Sequence, residues 1–219
     1  THGYHDLLEI PEGIDMVIHS GDCSNPRDPY NNEPEVRGFI DWFGGLPIKY
    51  KVFVAGNHDT SIEKGLVTKD DFDQNCIHYL ENTSVEIEGL KIFGSPYTPQ
   101  FGQWAFMKAR NKLEKIWRKA IDEDVDIVIV HGPPKGMLDL SYGRLNSMEH
   151  CGDKSLMNRV MEVKPTLMLF GHIHNCDDII NAGTRTIPGL DTIFSNGSVV
   201  TDGKFGKLSS NGNIFEIKL

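Results

Sequence analysis

A chain of 219 residues, 39% hydrophobic and 24% charged, has the composition of an ordinary globular protein, neither fibrous nor disordered. At this length roughly 70% of the extended surface is buried on folding, so a core forms without disulfide or metal staples. Lys plus Arg number 22 against 31 Asp plus Glu, and the net charge of -9 argues against a broad basic surface for gripping long nucleic acid.

The chain opens on Thr1-His2-Gly3, a turn-like tripeptide with no apolar run before it, so a first strand is expected upstream of Thr1. Ile14–Ile18, apolar except for Asp15, reads as a strand running into His19-Ser20-Gly21-Asp22. Val36, Phe39, Ile40 and Phe43 form a short helical stripe halted by Gly44-Gly45. Lys51–Ala55 is a second strand, ending in Gly56-Asn57-His58-Asp59, and Val85–Ile87 with Leu90–Phe93 around Glu88-Gly89 predicts a hairpin. Phe106, Ala109, Leu113, Ile116, Trp117, Ala120 and Ile121 follow helical spacing, with Lys and Arg on the other face. Asp126–Val130 ends in His131-Gly132-Pro133-Pro134, where a cis peptide is a candidate.

Further on, Asp153 is expected to cap a helix carrying Leu156, Val160 and Val163 that stops before Pro165. Thr166–Phe170 runs into Gly171-His172-Ile173-His174. Thr184–Ile187, Asp191–Phe194 and Ile214–Ile217 predict short antiparallel strands. Apolar runs stopped by Gly or Pro suggest strands buried on both faces, in a sheet covered by helices. No repeat or linker divides the chain, so a single layered α/β domain over 1–219 is expected.

No run reaches the roughly 18–20 apolar residues of a membrane helix, and no secretory leader is recognisable. The four cysteines, Cys23, Cys76, Cys151 and Cys176, lack C-x-x-C spacing. Reduced thiols in a cytoplasmic protein with no membrane partner are expected.

In open α/β sheets ligands bind beyond the carboxyl ends of the strands. Those ends carry Asp22, Asn57, His58, His131, His172 and His174, a set of carboxylate, amide and imidazole donors suited to first-row divalent metals. Taken singly the signals are weak, since H-x-H is as common in surface pairs and Gly-Asp in turns. Together, on the ends of successive strands, they are hard to explain by packing, because unpartnered buried His and Asp are costly.

In their order, Thr1-His2, Gly21-Asp22, Gly56-Asn57-His58-Asp59, His131-Gly132 and Gly171-His172-Ile173-His174 resemble the calcineurin-like metallophosphoesterase superfamily. Asp41-Trp42-Phe43-Gly44-Gly45-Leu46-Pro47 and Gly94-Ser95-Pro96-Tyr97-Thr98-Pro99 are similar to a small uncapped branch of metallophosphodiesterases that includes animal brain proteins. The resemblance implies a four-layer α-β-β-α sandwich of two mixed sheets flanked by helices. It also implies two divalent cations, Mn2+ foremost, with Fe, Zn, Ni or Co as other candidates. Asp22 would bridge them; His2 and His174 would complete one site, and Asn57, His131 and His172 the other. Asn57 would also contact a phosphate oxygen, and His58 would protonate the leaving group.

Two departures from the family pattern bear on this. The Asp of the first block would precede Thr1, so the His2 site is expected to be weaker or empty, while the other keeps its full set of ligands. Asn25 stands where phosphoprotein phosphatases carry an Asp behind the acid histidine, which argues against protein phosphatase activity. His172, in contrast, is retained where some animal relatives have Gly, which favours catalysis.

The expected function is hydrolysis of a small phosphodiester, a nucleotide or cyclic nucleotide. The rivals are a phosphomonoesterase with the same site and a non-catalytic metal- and nucleotide-binding module. Pro96, Tyr97, Pro99, Phe101 and Trp104 crowd one loop that either stacks a base or packs onto the core. Arg27 and Lys135 are candidate phosphate contacts, with solvated surface charge the more ordinary role. His19 and His150 are expected to be structural, and Cys23 and Cys176 small buried hydrophobes.

Overall fold

A computed structural model describes residues 1–143, 147–176, 178–201 and 206–217. After a 3-10 turn at His5–Leu7 come strand β1 (Met16–His19), helix α1 (Pro29–Gly45), strand β2 (Tyr50–Phe53), helices α2 (Thr60–Glu63) and α3 (Lys69–Asp73), and strand β3 (His78–Tyr79). A hairpin of β4 (Thr83–Ile87) and β5 (Leu90–Ser95) leads to the short strands β6 (Thr98–Pro99) and β7 (Met107–Lys108) and to helix α4 (Arg110–Ala120). Strands β8 (Ile127–Val130), β9 (Leu140–Tyr142) and β10 (Met148–His150) precede helix α5 (Lys154–Val163). The described elements end with β11 (Leu167–Phe170), β12 (Gly183–Ile187) and β13 (Leu190–Asn196).

Two sheets carry the fold, one ordered β1-β2-β3 and the other β12-β13-β11-β8-β5-β4. The first is parallel. In the second, β13, β11, β8 and β5 are parallel, while β12 and β4 close the edges antiparallel. The period-2 alternation of each strand then sorts its side chains into separate cores. Val52, Val54, Leu80, Ile92, Ile127, Ile129, Leu167 and Leu169 pack between the sheets. Phe53 turns the other way, onto Val36, Phe39 and Phe43 of α1. Val128, Val130, Met168, Phe170 and Phe194 meet Leu113 and Trp117 of α4 and Leu156 and Val160 of α5. Three cores separate four layers, so the architecture is the α-β-β-α sandwich. Each of these fully buried side chains stabilises the fold by roughly 1.5–3 kcal/mol relative to exposure.

Local chemistry sets the helix ends. Asp28 caps α1 by accepting the Asn31 N–H at 3.0 Å, and Pro29 opens the helix. The helix continues through Gly44-Gly45, beyond the expected stop, and ends ahead of Pro47. Helix α4 begins at Arg110, later than the apolar pattern suggests, because Phe106 sits at φ 55° and cannot propagate a helix. Asp153 caps α5 as expected, accepting the Leu156 N–H at 2.7 Å. The described peptide bonds are trans, Pro133–Pro134 included, which corrects the candidate cis bond.

Two strand expectations also need correction. β1 is only half-buried along its length, because among the described residues it pairs with β2 alone. Ile214–Ile217 keeps the alternation of a strand, with Phe215 and Ile217 turned onto the inter-sheet core, but forms no ladder with the described strands. It is held from its start by Asn213, whose Nδ2 donates to Ser195 Oγ at 2.9 Å and to the Asn196 carbonyl at 3.0 Å. A cavity of about 730 Å³ lies here, lined by β1, Phe215 and Ile217 among others, and reaches His2, His172 and His174. No helix among the described residues is long and apolar enough to cross a membrane.

Candidate metal centre

The carboxyl ends of β1, β2, β8 and β11 point to one place, and glycine makes their convergence feasible. A Cβ on Gly21 would lie 2.4 Å from His131 Nδ1, and one on Gly56 would lie 2.3 Å from Asp22 Oδ1. Only glycine tolerates such approach. His2, Asp22 and His172 adopt φ of 49°, 57° and 69°, in the left-handed region that costs an ordinary residue roughly 1–3 kcal/mol. Strain of this kind gathers at functional sites.

The structure brings all the sequence-predicted site residues together. Asp22 Oδ2 lies 3.2 Å from His131 Nε2 and 3.5 Å from His2 Nε2. His131 Nε2 is also 3.0 Å from Asn57 Oδ1, and the His131 ring is 5.0 Å from that of His172. His2 Nε2 and His174 Nε2 are 3.2 Å apart. Two sets of potential ligand atoms form, Asp22 with His131 and His172, and Asp22 with His2 and His58. Asp22 is common to both.

The donor chemistry fits cations. His131 Nδ1 lies 2.7 Å from the Ser20 carbonyl, so Nδ1 carries a proton. In the neutral ring this leaves the Nε2 lone pair facing the lone pairs of Asp22 Oδ2 and Asn57 Oδ1, an arrangement that is repulsive without a positive charge among them. The same demand shows in the ionisation of the pair. Burial opposes charge on His131, yet Asp22 and the Ser20 carbonyl raise its pKa. Burial likewise opposes charge on Asp22, but His131, then His2 and His58, hold it well below the usual carboxylate range. Desolvation lowers His172 to about 3, helped by His131, and lowers His2 well below its ordinary value. Those two imidazoles are therefore neutral and available as donors at neutral pH.

Asp59, quoted in the sequence motif without a role, organises this centre. Its Oδ2 accepts the N–H groups of Asp22 at 2.9 Å and Gly56 at 2.7 Å. Its Oδ1 accepts from Ser24 N and Oγ and from Cys23 Sγ. Burial and the neighbouring Asp22 raise its pKa against these bonds. Asn32 was missed altogether. Buried on α1, it donates to Ser24 Oγ, the Pro26 carbonyl and the His58 carbonyl, and accepts the Ser61 N–H. A polar residue four positions before Val36, in register with the apolar stripe, was the available signal.

His58 sits at the mouth. Its ring lies 4.6 Å from that of His2 and 4.4 Å from Trp104, and its Nδ1 is 3.1 Å from the Asn25 carbonyl. The backbone of Asn25, not its side chain, thus orients the imidazole. Arg27 stacks on Trp104, whereas Lys135 is exposed. His19 is structural: it accepts the Gly21 N–H at Nδ1 and packs on Phe39 and Phe53. His150 pairs with Asp139 and belongs to neither ligand set. Cys23 is buried, while Cys176 is half-buried.

Residues 2–176 match the calcineurin-like phosphoesterase family, and the chain belongs to it. The family is one of phosphoesterases that bind divalent metals. Among curated proteins it is similar to metallophosphoesterase domain-containing protein 1 of Homo sapiens, with 36% identity over 212 residues, covering 85% of this chain and 62% of the human protein. A UPF0046 protein of Caenorhabditis elegans is 31% identical over 199 residues, covering 85% of this chain and 65% of its own. The chain therefore spans less than two thirds of these relatives' length. Phosphopantetheinyl hydrolase of Mycobacterium tuberculosis shares the fold with a TM-score of 0.56 at 14% identity, covering 85% of this chain and 79% of its own.

Proposed function

We propose that the protein hydrolyses a small phosphodiester, a nucleotide or cyclic nucleotide, at a dinuclear centre bridged by Asp22. The observation that carries this is the sharing of Asp22 by two ligand sets, one with His131 and His172 and one with His2 and His58, beside which His174 Nε2 lies 3.2 Å from His2 Nε2. His131, His172 and Asn57 would hold one cation with Asp22; His2 and His174 would serve the other. Bound there, a pair of divalent cations supplies Lewis acidity, lowering the pKa of water and neutralising phosphate charge. Mn2+ suits the mixed N/O donors.

The chain's own groups do the rest. Asn57, its Oδ1 directed at His131, keeps its amide nitrogen for a phosphate oxygen. His58, with Nδ1–H directed at the Asn25 carbonyl, presents Nε2 to give a proton to the leaving alkoxide. The net charge of -9 favours small substrates over nucleic acid, and the reduced thiol of buried Cys23 suits a cytoplasmic setting. Parallel rates on bis(p-nitrophenyl) phosphate and p-nitrophenyl phosphate with Mn2+ test the reading. A diester preference supports it. A large monoester preference, or tight nucleotide binding without turnover, overturns it.

A further inference from the structure

The segment joining β6 to β7 brings two rings to the candidate centre and leaves one open. Trp104 is engaged: it packs on His58, and the Arg27 guanidinium lies 4.8 Å from its ring while Nη2 donates to the Gln103 carbonyl at 2.8 Å. Phe101 lies 5.4 Å from the His172 ring and yet is 61% exposed.

Backbone bonds, not its own packing, hold Phe101 there. Gln100 N–H donates to the Lys108 carbonyl at 3.0 Å, Thr98 N–H to the Phe106 carbonyl at 3.2 Å, and Ala105 N–H to the Asn57 carbonyl at 3.1 Å. Phe106 N–H adds a bond to Glu63 Oε1 at 2.7 Å. The last two anchors tie the segment to the Asn57 loop and to α2 behind it. A large apolar ring fixed in water beside a candidate ligand gains nothing from folding. It gains when a flat group covers it.

We infer that Phe101 is the stacking surface for a planar ring of the substrate, selecting phosphoesters whose alcohol carries a planar ring, nucleosides foremost, over inorganic phosphate and phosphoesters without one. The inference rests on the proposed hydrolase site, because that site holds the phosphate from which the ring extends. Stacking adds affinity without further cations, as an acidic protein requires, and is indifferent to which base is present.

The test is equilibrium binding of adenosine 5′-monophosphate and of ribose 5-phosphate to the Mn2+-loaded protein by calorimetry. The two probes share the phosphate and the sugar and differ in the ring. The wild type should prefer the nucleotide about tenfold, within the range of base–aromatic stacking. Phe101→Ala should bring the ratio near one by weakening the nucleotide alone, and Phe101→Trp should restore it. An equal ratio in wild type and Phe101→Ala, or a wild type that binds both probes alike, overturns the inference and leaves the hydrolase reading standing. Failure of either probe to bind, with no turnover of bis(p-nitrophenyl) phosphate, overturns the reading and the inference with it.

Discussion

Asp59 Oδ2 accepts the backbone N–H of Asp22 at 2.9 Å, so the carboxylate expected to bridge two cations is itself positioned by a second, buried carboxylate. Asp59 has its oxygens taken up by Gly56, Ser24 and Cys23 as well, which locks the loops after β1 and β2 together. In Asp59→Asn the amide NH2 faces some of these donors. Each buried donor left unpaired costs about 1–3 kcal/mol. Urea unfolding should show a loss of that size, and Mn2+ titration a weakening of about tenfold or more. Unchanged metal affinity would remove Asp59 from the positioning role.

His131→Ala should abolish both turnover and retention of metal at its site. The substitution removes Nε2 from the set formed with Asp22 and His172 and strands the Ser20 carbonyl. Elemental analysis after gel filtration checks the first effect. A variant that keeps its full metal content would show that His131 is not a ligand.

His58→Ala should retain metal and slow hydrolysis by about 10²–10⁴-fold for poor leaving groups, with much less effect on p-nitrophenolate. A series of diesters graded by leaving-group pKa reads this directly. Equal losses across the series would take His58 out of proton transfer and leave it a ligand beside His2 and Asp22.

Acid should destabilise the metal-free protein. His19 is held well below its ordinary pKa, by burial first, and its Nδ1 must stay unprotonated to accept the Gly21 N–H. The unfolded chain takes up protons below about pH 6.5 while the folded imidazole does not, so unfolding free energy falls as pH falls through that value. Desolvated His172, lowered to about 3, acts in the same direction. Urea midpoints with chelator present should be lower at pH 5 than at pH 7, and His19→Asn, which keeps an acceptor for Gly21, should flatten the slope. A midpoint rising toward pH 5 would contradict this.

Much of the centre was legible because its chemistry sits at strand ends. Apolar runs such as Asp126–Val130 and Thr166–Phe170 announce β8 and β11, and Gly, Asn and His mark where they stop. What escaped were interactions made by the backbone or by distant residues. The Ser20 and Asn25 carbonyls carry no side-chain signal, and Trp104 reaches His58 across a large separation in sequence. The Ile214–Ile217 expectation failed for a related reason. Alternation reports which face is buried, whereas a ladder also needs a partner edge within reach.

The account stands most directly on metal stoichiometry at Asp22. Titration of the metal-free protein with Mn2+ should reach two equivalents per chain, and Asp22→Asn should weaken both sites at once, because one carboxylate serves each. Loss of a single equivalent, or an unaltered isotherm, would contradict a centre bridged by Asp22.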